Sequence, residues 1–103
     1  MRSKGNAPTA AQKRFRENLR ELYPGSVIHH PVGVTGKHNK VKIGHWWIIA
    51  LSEASHDLIH TIGKERKDEE KLQFFVQMLM YMQVYGKIPV PAEVINSISD
   101  YHL

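Results

Sequence analysis

The sequence predicts a small α+β protein in which helices flank a short strand–loop–strand–helix unit. Two β-branched runs, near Val27 and Ile43, lie between Pro- and Gly-containing turns, and apolar residues at helical spacing come before and after them. A chain of 103 residues has room for one domain with a modest core. We expect a single domain over 1–103, with a flexible basic arm (1–7), an N-terminal helix and strand–helix unit (8–63) and a C-terminal helical extension (64–103).

The first predicted helix begins at Thr9. Thr9 is a suitable N-cap, and Gln12 lies three residues later, as in a capping box. Pro24-Gly25 ends the helix. Its apolar stripe consists of Ala11, Phe15, Leu19 and Leu22.

Two strands and a short helix should follow. The first strand is expected over Ser26–His30, and a basic loop over Pro31–Lys42 leads into a second strand, Val41–Leu51, which is rich in β-branched and aromatic residues. Ser52 is a suitable N-cap for the short helix, and Gly63 a suitable stop.

The sequence predicts two more helices in the C-terminal part of the chain. The mixed charges of Lys64–Lys71 predict the solvated start of a long helix that ends near Tyr85, and Pro89-Val90-Pro91 precedes a final helix near Ala92–Asp100. The long helix carries apolar residues on two sides, which predicts either a helix through the middle of the domain or a homodimer contact through residues 68–85. One side has Leu72, Phe75, Val76, Leu79 and Met82, and the other has Phe74, Met78, Tyr81 and Tyr85.

Composition narrows the functional classes. Lys and Arg number 14 against 10 Asp and Glu, which gives a net charge of +4 and suits a polyanionic partner such as nucleic acid. The absence of cysteine excludes disulfides and thiolate metal sites, so any metal must have imidazole and oxygen ligands. Apolar stretches fall short of the roughly 20 residues of a membrane span, and no secretory pattern opens the chain. We therefore expect a cytoplasmic protein with no membrane partner.

Four of the seven histidines fall into two motifs, His29-His30 and His56-Asp57-Leu58-Ile59-His60. On a helix, residues four apart project from the same side, so His56 and His60 can share a cation. Neighbours on a strand point to opposite sides, so one residue of the doublet can bind the same ion while the other faces a different part of the site. Either motif alone is compatible with surface histidines. Their order along the chain predicts one divalent ion with three protein ligands and open positions for water and phosphate oxygen.

This histidine pattern resembles the HNH (ββα-metal) endonuclease superfamily, and its spacing is similar to that of the nuclease colicins. The segments 29–33 (His-His-Pro-Val-Gly) and 45–56, which opens with His-Trp before an apolar strand, also resemble the phage recombination-enhancement (Ref-like) HNH nucleases. The similarity covers residues 9–63. It implies a ββα-metal finger after an N-terminal helix, and an enzyme of phage or mobile-element type that hydrolyses DNA phosphodiester bonds.

The resemblance also implies roles for single residues. His29, His56 and His60 would bind the metal, and His30 would act as general base toward the attacking water. The bound cation would polarise the scissile phosphate. Zinc, nickel, magnesium and manganese all stay open as its identity. His45 is a further catalytic candidate, as a hydrogen-bond partner within the site or a phosphate contact, although a structural strand histidine is an equal alternative.

Basic and aromatic residues supply candidate contacts to DNA. Lysine and arginine side chains neutralise phosphates, although a charge run is also compatible with a solvated surface. Trp46 and Trp47 can stack on bases, but alternation along a strand places at least one of them in the core. The candidate phosphate contacts are Arg14, Arg16, Arg20, Lys37, Lys40 and Lys42.

Two departures from the family pattern bear on activity. Ser52 and Ser55 stand where many relatives have a cysteine pair for a structural zinc, so packing must hold the finger. Trp47 stands at the position of the middle Asn of the HNH motif, and His45 or Asn39 are the candidates to replace that Asn. This second departure favours an alternative function, a non-catalytic nucleic-acid-binding protein on a degenerate HNH finger. An unrelated small regulator with surface histidines is disfavoured by the ordered spacing.

Overall fold

A computed structural model describes residues 7–31, 37–38 and 41–100, with the backbone alone at 37–38, 41–42, 64 and 100. Within these residues the chain has four helices and two antiparallel pairs of strands, so the predicted α+β class is confirmed. The helices are α1 (Ala10–Leu22), α2 (Glu53–Ile59), α3 (Arg66–Tyr85) and α4 (Ala92–Asp100). The strands are β1 (Val27–His29), β2 (Lys37–His38), β3 (Val41–Lys42) and β4 (Ile49–Leu51). Residues 1–6 of the predicted arm lie outside the described residues.

The start of α1 follows from its capping residues. The Thr9 hydroxyl accepts a hydrogen bond from the Gln12 backbone N–H, and the Gln12 side chain accepts one from the Thr9 N–H. The predicted capping box is therefore confirmed. Phe15 and Leu19 are fully buried. Ala11 is exposed, contrary to the prediction, so the buried stripe begins only at Phe15.

The single strand predicted over Val41–Leu51 is wrong. The structure has two short strands there, separated by a 3-10 turn over Gly44–Trp46. Gly44 adopts a φ of +55°, which glycine tolerates far better than other residues, and this bend ends the first strand. As a result β3 pairs with β2, which lies in the predicted loop, whereas β4 pairs with β1, with Ile28 opposite Ala50.

Both tryptophans belong to the core. Trp46 packs against Phe15 with ring centroids 5.6 Å apart, and Trp47 packs against Phe74 with centroids 5.1 Å apart. Their exposed fractions are 8% and 4%, so neither indole has a free face on which a DNA base could stack. The prediction of base stacking by these residues is therefore wrong, and the core alternative applies to both.

The second short helix begins and ends near the predicted residues. The Ser52 hydroxyl accepts a hydrogen bond from the Ser55 N–H and caps α2, as expected. The helix ends at Ile59, with His60 as its C-cap, rather than at Gly63. Gly63, with a φ of +66°, instead opens a 3-10 turn that leads into α3.

The long helix α3 has one buried side and one exposed side. Phe74, Met78 and Tyr81 are buried against α1 and the strands, while the Leu72, Val76 and Leu79 side chains are exposed. The prediction of a helix through the middle of the domain is therefore wrong, and the homodimer contact stays a prediction. α4 buries Val94 and Ile98, as its apolar spacing predicts. Among the described residues, no helix has the length and apolarity to cross a bilayer.

A buried amide joins α3 to the strand that leads into α2. The Gln77 side chain accepts a hydrogen bond from the Ala50 N–H (2.8 Å) and donates one to the Ala50 carbonyl (2.7 Å). Gln77 thereby satisfies both backbone groups of Ala50, much as a neighbouring strand would. Because β4 continues directly into Ser52 and α2, this contact helps to fix where α2 begins.

Candidate metal centre

Strand β1 and helix α2 bring three histidines together, as the sequence predicts. His29, His56 and His60 each offer one ring nitrogen, and the three atoms lie within 4.8 Å of one another. The Nε2 atoms of His56 and His60 are 3.3 Å apart. Two nitrogens bound at 2.0–2.1 Å to one tetrahedral ion are separated by about 3.3 Å, so this pair has the spacing of zinc ligands. The cluster can therefore hold a metal ion.

The three rings converge edge to face. The ring centroids of His56 and His60 are 4.7 Å apart, and that of His29 lies 5.0 Å and 5.5 Å from them. Burial decreases across the cluster: His29 is buried, His56 half-buried and His60 exposed. The cluster is thus anchored in the domain on the His29 side and open to solvent on the His60 side, where water or a substrate oxygen can enter.

A buried carboxylate contacts the anchored ligand. The Nε2 atom of His29 lies 2.5 Å from Oε2 of Glu70, which is fully buried, and the Arg66 Nε–H donates to the same oxygen over 3.0 Å. The prediction that Lys64–Lys71 is a solvated helix start is therefore wrong at Glu70. Glu70 lies one turn before Phe74 on the buried side of α3, and its charge is balanced there by Arg66.

His29 has the electrostatics of a metal ligand. Burial lowers the pKa of His29 below its ordinary value, and this effect outweighs the opposing influence of Glu70. The ring is therefore neutral at pH 7. A neutral imidazole keeps a lone pair for a metal ion, whereas a protonated one must first lose a proton.

The second histidine of the doublet faces a different group of residues. The His30 and His45 rings lie 5.9 Å apart, and both line a small corner together with Arg16 and Gln12 of α1. His45 lies in the 3-10 turn and not on a strand as predicted. Loss of hydration lowers the pKa of His30 below its ordinary value, and the nearby His45, His29 and Arg16 lower it further. At neutral pH His30 is therefore unprotonated and can accept a proton.

Arg16 gives this corner an unused hydrogen-bond donor. Among the described residues, its Nε atom is buried and has no hydrogen-bond partner. No carboxylate is among the described residues that line the corner. A cationic side chain beside two imidazoles, with no acidic residue among the described lining residues, favours an anion such as a phosphate at the mouth of this corner.

The structure does not gather the predicted phosphate contacts into one patch. Arg20 follows Arg16 by one helical turn and is exposed, but Arg14 lines a separate hollow with Tyr85 and Lys87. Two residues apart on a helix, Arg14 and Arg16 point in nearly opposite directions. The side chains of Lys37 and Lys42 lie outside the described residues, as do Lys40 and Asn39, which was a candidate to replace the middle Asn.

Comparisons with models of protein families, with curated proteins and with solved structures find no match to this chain. The resemblance to the HNH superfamily consequently depends on the residues of the two histidine motifs and their surroundings. Sequence reasoning missed Glu70 and Arg66. Helical spacing does carry a signal for Glu70. Glu70 precedes Phe74 by four residues, just as Phe74 precedes Met78, so all three lie on the buried side of α3.

Proposed function

We propose that this chain is a metal-dependent endonuclease of the HNH type that hydrolyses DNA phosphodiester bonds, in a phage or mobile-element setting. The observation that carries the proposal is the cluster of His29, His56 and His60, with His30 directly after His29 in the chain. In this interpretation the antiparallel pair β1–β4 and the following helix α2 form a ββα-metal finger, and α1 precedes it.

Three imidazoles suit one divalent ion of the zinc or nickel type better than calcium, and magnesium and manganese stay open. When bound, such an ion supplies positive charge that polarises a phosphate and stabilises a leaving oxygen. The chain's own contribution is to hold the three nitrogens in place. His29 does so from the buried strand, and the i,i+4 pair of α2 does so from the open side.

His30 is the proposed general base. Its neighbour His29 points into the metal cluster, so His30 points away from it, toward Arg16 and His45. Since its pKa is below that of free imidazole, His30 is neutral at pH 7 and can take a proton from water. An exposed position at the end of β1 gives substrate and water access to the ring.

The corner beside His30 suits a phosphate of the DNA backbone. The buried Nε–H of Arg16 is a donor without a partner among the described residues, and His45 lines the same corner. We propose that these two side chains contact the phosphate on which His30 acts. The net charge of +4 supports binding to a polyanion.

One observation favours the second candidate, a non-catalytic nucleic-acid-binding protein on a degenerate finger. Trp47 takes the place of the middle Asn, and its ring is packed against Phe74 in the core. It therefore cannot hold the loop that carries the base, as the Asn does in the family. In this alternative the chain binds metal and DNA but does not cleave.

Calorimetric titration of the purified chain with Zn²⁺ or Ni²⁺ tests the metal site. We expect about one ion per chain in the wild type and a loss of at least about tenfold in affinity in His56→Ala, because a ligand is removed. Asp57→Ala is the matched control, since Asp57 is exposed, next to His56 on α2, and outside the cluster. Equal affinity in wild type and His56→Ala would refute the assignment.

A further inference from the structure

Among the described residues, Glu70 is a fully buried charged side chain, and the proposed mechanism leaves it without a role. Its side chain is fully buried, which is costly for a carboxylate unless each oxygen finds partners. One of its oxygens contacts two groups, Nε2 of His29 at 2.5 Å and Nε of Arg66 at 3.0 Å. The first of these contacts joins residues 41 positions apart in the chain, so the fold itself creates it.

The chemistry of the contact fixes the proton on His29. An ionised carboxylate only accepts hydrogen bonds, so the nitrogen that faces it must carry the hydrogen. A neutral imidazole has one N–H and one lone pair, and a proton on Nε2 leaves the lone pair on Nδ1. A metal ion binds the lone pair and not the N–H.

We infer that Glu70 is a positioning residue for the metal site, holding His29 with its proton on Nε2 so that Nδ1 is the atom that binds the ion. The inference depends on the proposed metal site. The negative charge of Glu70 also makes the His29 ring a stronger electron donor, and partners of this kind orient the ring and raise ligand basicity. Arg66 has a different task, since it contacts Glu70 and not the histidine.

Geometry distinguishes this role from direct ligation by Glu70. Among the described residues, the set of atoms that lie within 4.8 Å of one another contains only the three histidines. The 2.5 Å separation of Nε2 and Oε2 is also shorter than the roughly 3.3 Å between two ligands of one tetrahedral ion. The two atoms are therefore hydrogen-bonded to each other and are not two ligands side by side on one ion.

The test has a readout that needs neither activity nor metal. Proton–nitrogen NMR of the metal-free wild type reports which ring nitrogen of each histidine carries hydrogen, with His29→Gln used to assign the signal. We expect the Nε2–H form for His29. In Glu70→Ala the preference for this form should be lost. Glu70→Gln keeps an oxygen that can accept the hydrogen bond, so it should largely restore the preference.

Metal titration of the same variants completes the test. We expect Glu70→Ala to keep one site with an affinity about 10- to 100-fold lower, and Glu70→Gln to fall between it and wild type. Arg66→Gln is the matched control, because it removes a different hydrogen-bond partner of Glu70 and leaves the contact with His29 in place. It should keep both the tautomer and an affinity close to wild type.

The outcomes separate this inference from the proposed function. A wild type that binds no metal ion refutes the proposed function, and the role of Glu70 with it. A wild type that binds one ion, with His29 in the Nδ1–H form, overturns the present inference alone. Equal losses of affinity in Arg66→Gln and Glu70→Gln, with an unchanged tautomer, would also overturn it, because they would show a purely structural role for the charge cluster.

Discussion

Replacement of His30 by alanine separates proton transfer from metal binding. The side chain is exposed at the end of β1, so its loss should change the free energy of unfolding by no more than about 0.5 kcal/mol. The three metal ligands are other residues, so the stoichiometry and affinity for metal should stay near wild type. Removal of a general base lowers the rate about 10²- to 10⁴-fold, which raises the barrier by about 2.7–5.5 kcal/mol.

His29→Ala is the matched comparison, because it changes the residue next to His30, at the end of β1. His29 is a buried cluster member and the partner of Glu70. Its removal should lower metal affinity and cleavage together, and it should destabilise the fold by about 1–3 kcal/mol because a buried carboxylate loses a partner. Both variants should therefore cleave slowly, but only His29→Ala should also lose metal affinity and stability.

The assay is cleavage of supercoiled plasmid under single-turnover conditions across a range of pH. His30 must be unprotonated to act, and its pKa is lowered by loss of hydration and by His45, His29 and Arg16. The wild-type rate should therefore rise with pH through a midpoint below the ordinary histidine value of about 6.5, and then level off. If His30→Ala cuts as fast as wild type while His29→Ala does not, the base is another group, and His45 is the next candidate.

Three further predictions concern stability, association and DNA binding. Gln77→Leu removes both hydrogen bonds to Ala50 and leaves two buried backbone groups unpaired, so urea titration should show a loss of about 2–4 kcal/mol, and a loss below about 1 kcal/mol would contradict this contact. If the exposed side of α3 is a homodimer contact, Leu79→Glu should lower the molecular mass measured by sedimentation. Leu58→Glu is the control, because Leu58 is a similarly exposed leucine on α2, and it should leave the mass unchanged. Equal masses for wild type and Leu79→Glu would exclude this contact. The affinity for DNA should fall steeply as the salt concentration rises. Each phosphate contact that a variant removes should make the slope of log K against log salt shallower by about 0.9. An affinity that does not change with salt would point to another kind of partner. For that experiment the variant replaces Lys37, Lys40 and Lys42 by alanine.

Local signals in the sequence were enough to predict the starts of α1 and α2 and the His56–His60 pair. The Thr9–Gln12 capping box sets the start of α1, and the i,i+4 spacing of His56 and His60 brings their rings together on one side of α2. These features depend on residues three or four apart, so the local sequence contains the whole signal.

Features that depend on distant contacts could not be predicted in the same way. The strand expected over Val41–Leu51 is uniformly apolar in its second half, and a run without alternation does not show where the strand bends. Gly44 was the available sign of the break. The burial of Glu70 depends on α3 passing beside β1, which nothing within Lys64–Lys71 indicates. The four-residue spacing between Glu70 and Phe74 was the only local sign that Glu70 is buried.

Cleavage of DNA in the presence of defined metal ions tests the central claim most directly. Purified wild type is incubated with plasmid and with single-stranded DNA across a panel of Zn²⁺, Ni²⁺, Mg²⁺ and Mn²⁺, with EDTA as control and His56→Ala in parallel. We predict metal-dependent cutting that EDTA abolishes and that His56→Ala lacks. The result that would contradict the proposed endonuclease activity is a wild type that binds one metal ion per chain and binds DNA, yet cuts neither substrate with any of the four metals. That result would favour the non-catalytic nucleic-acid-binding protein.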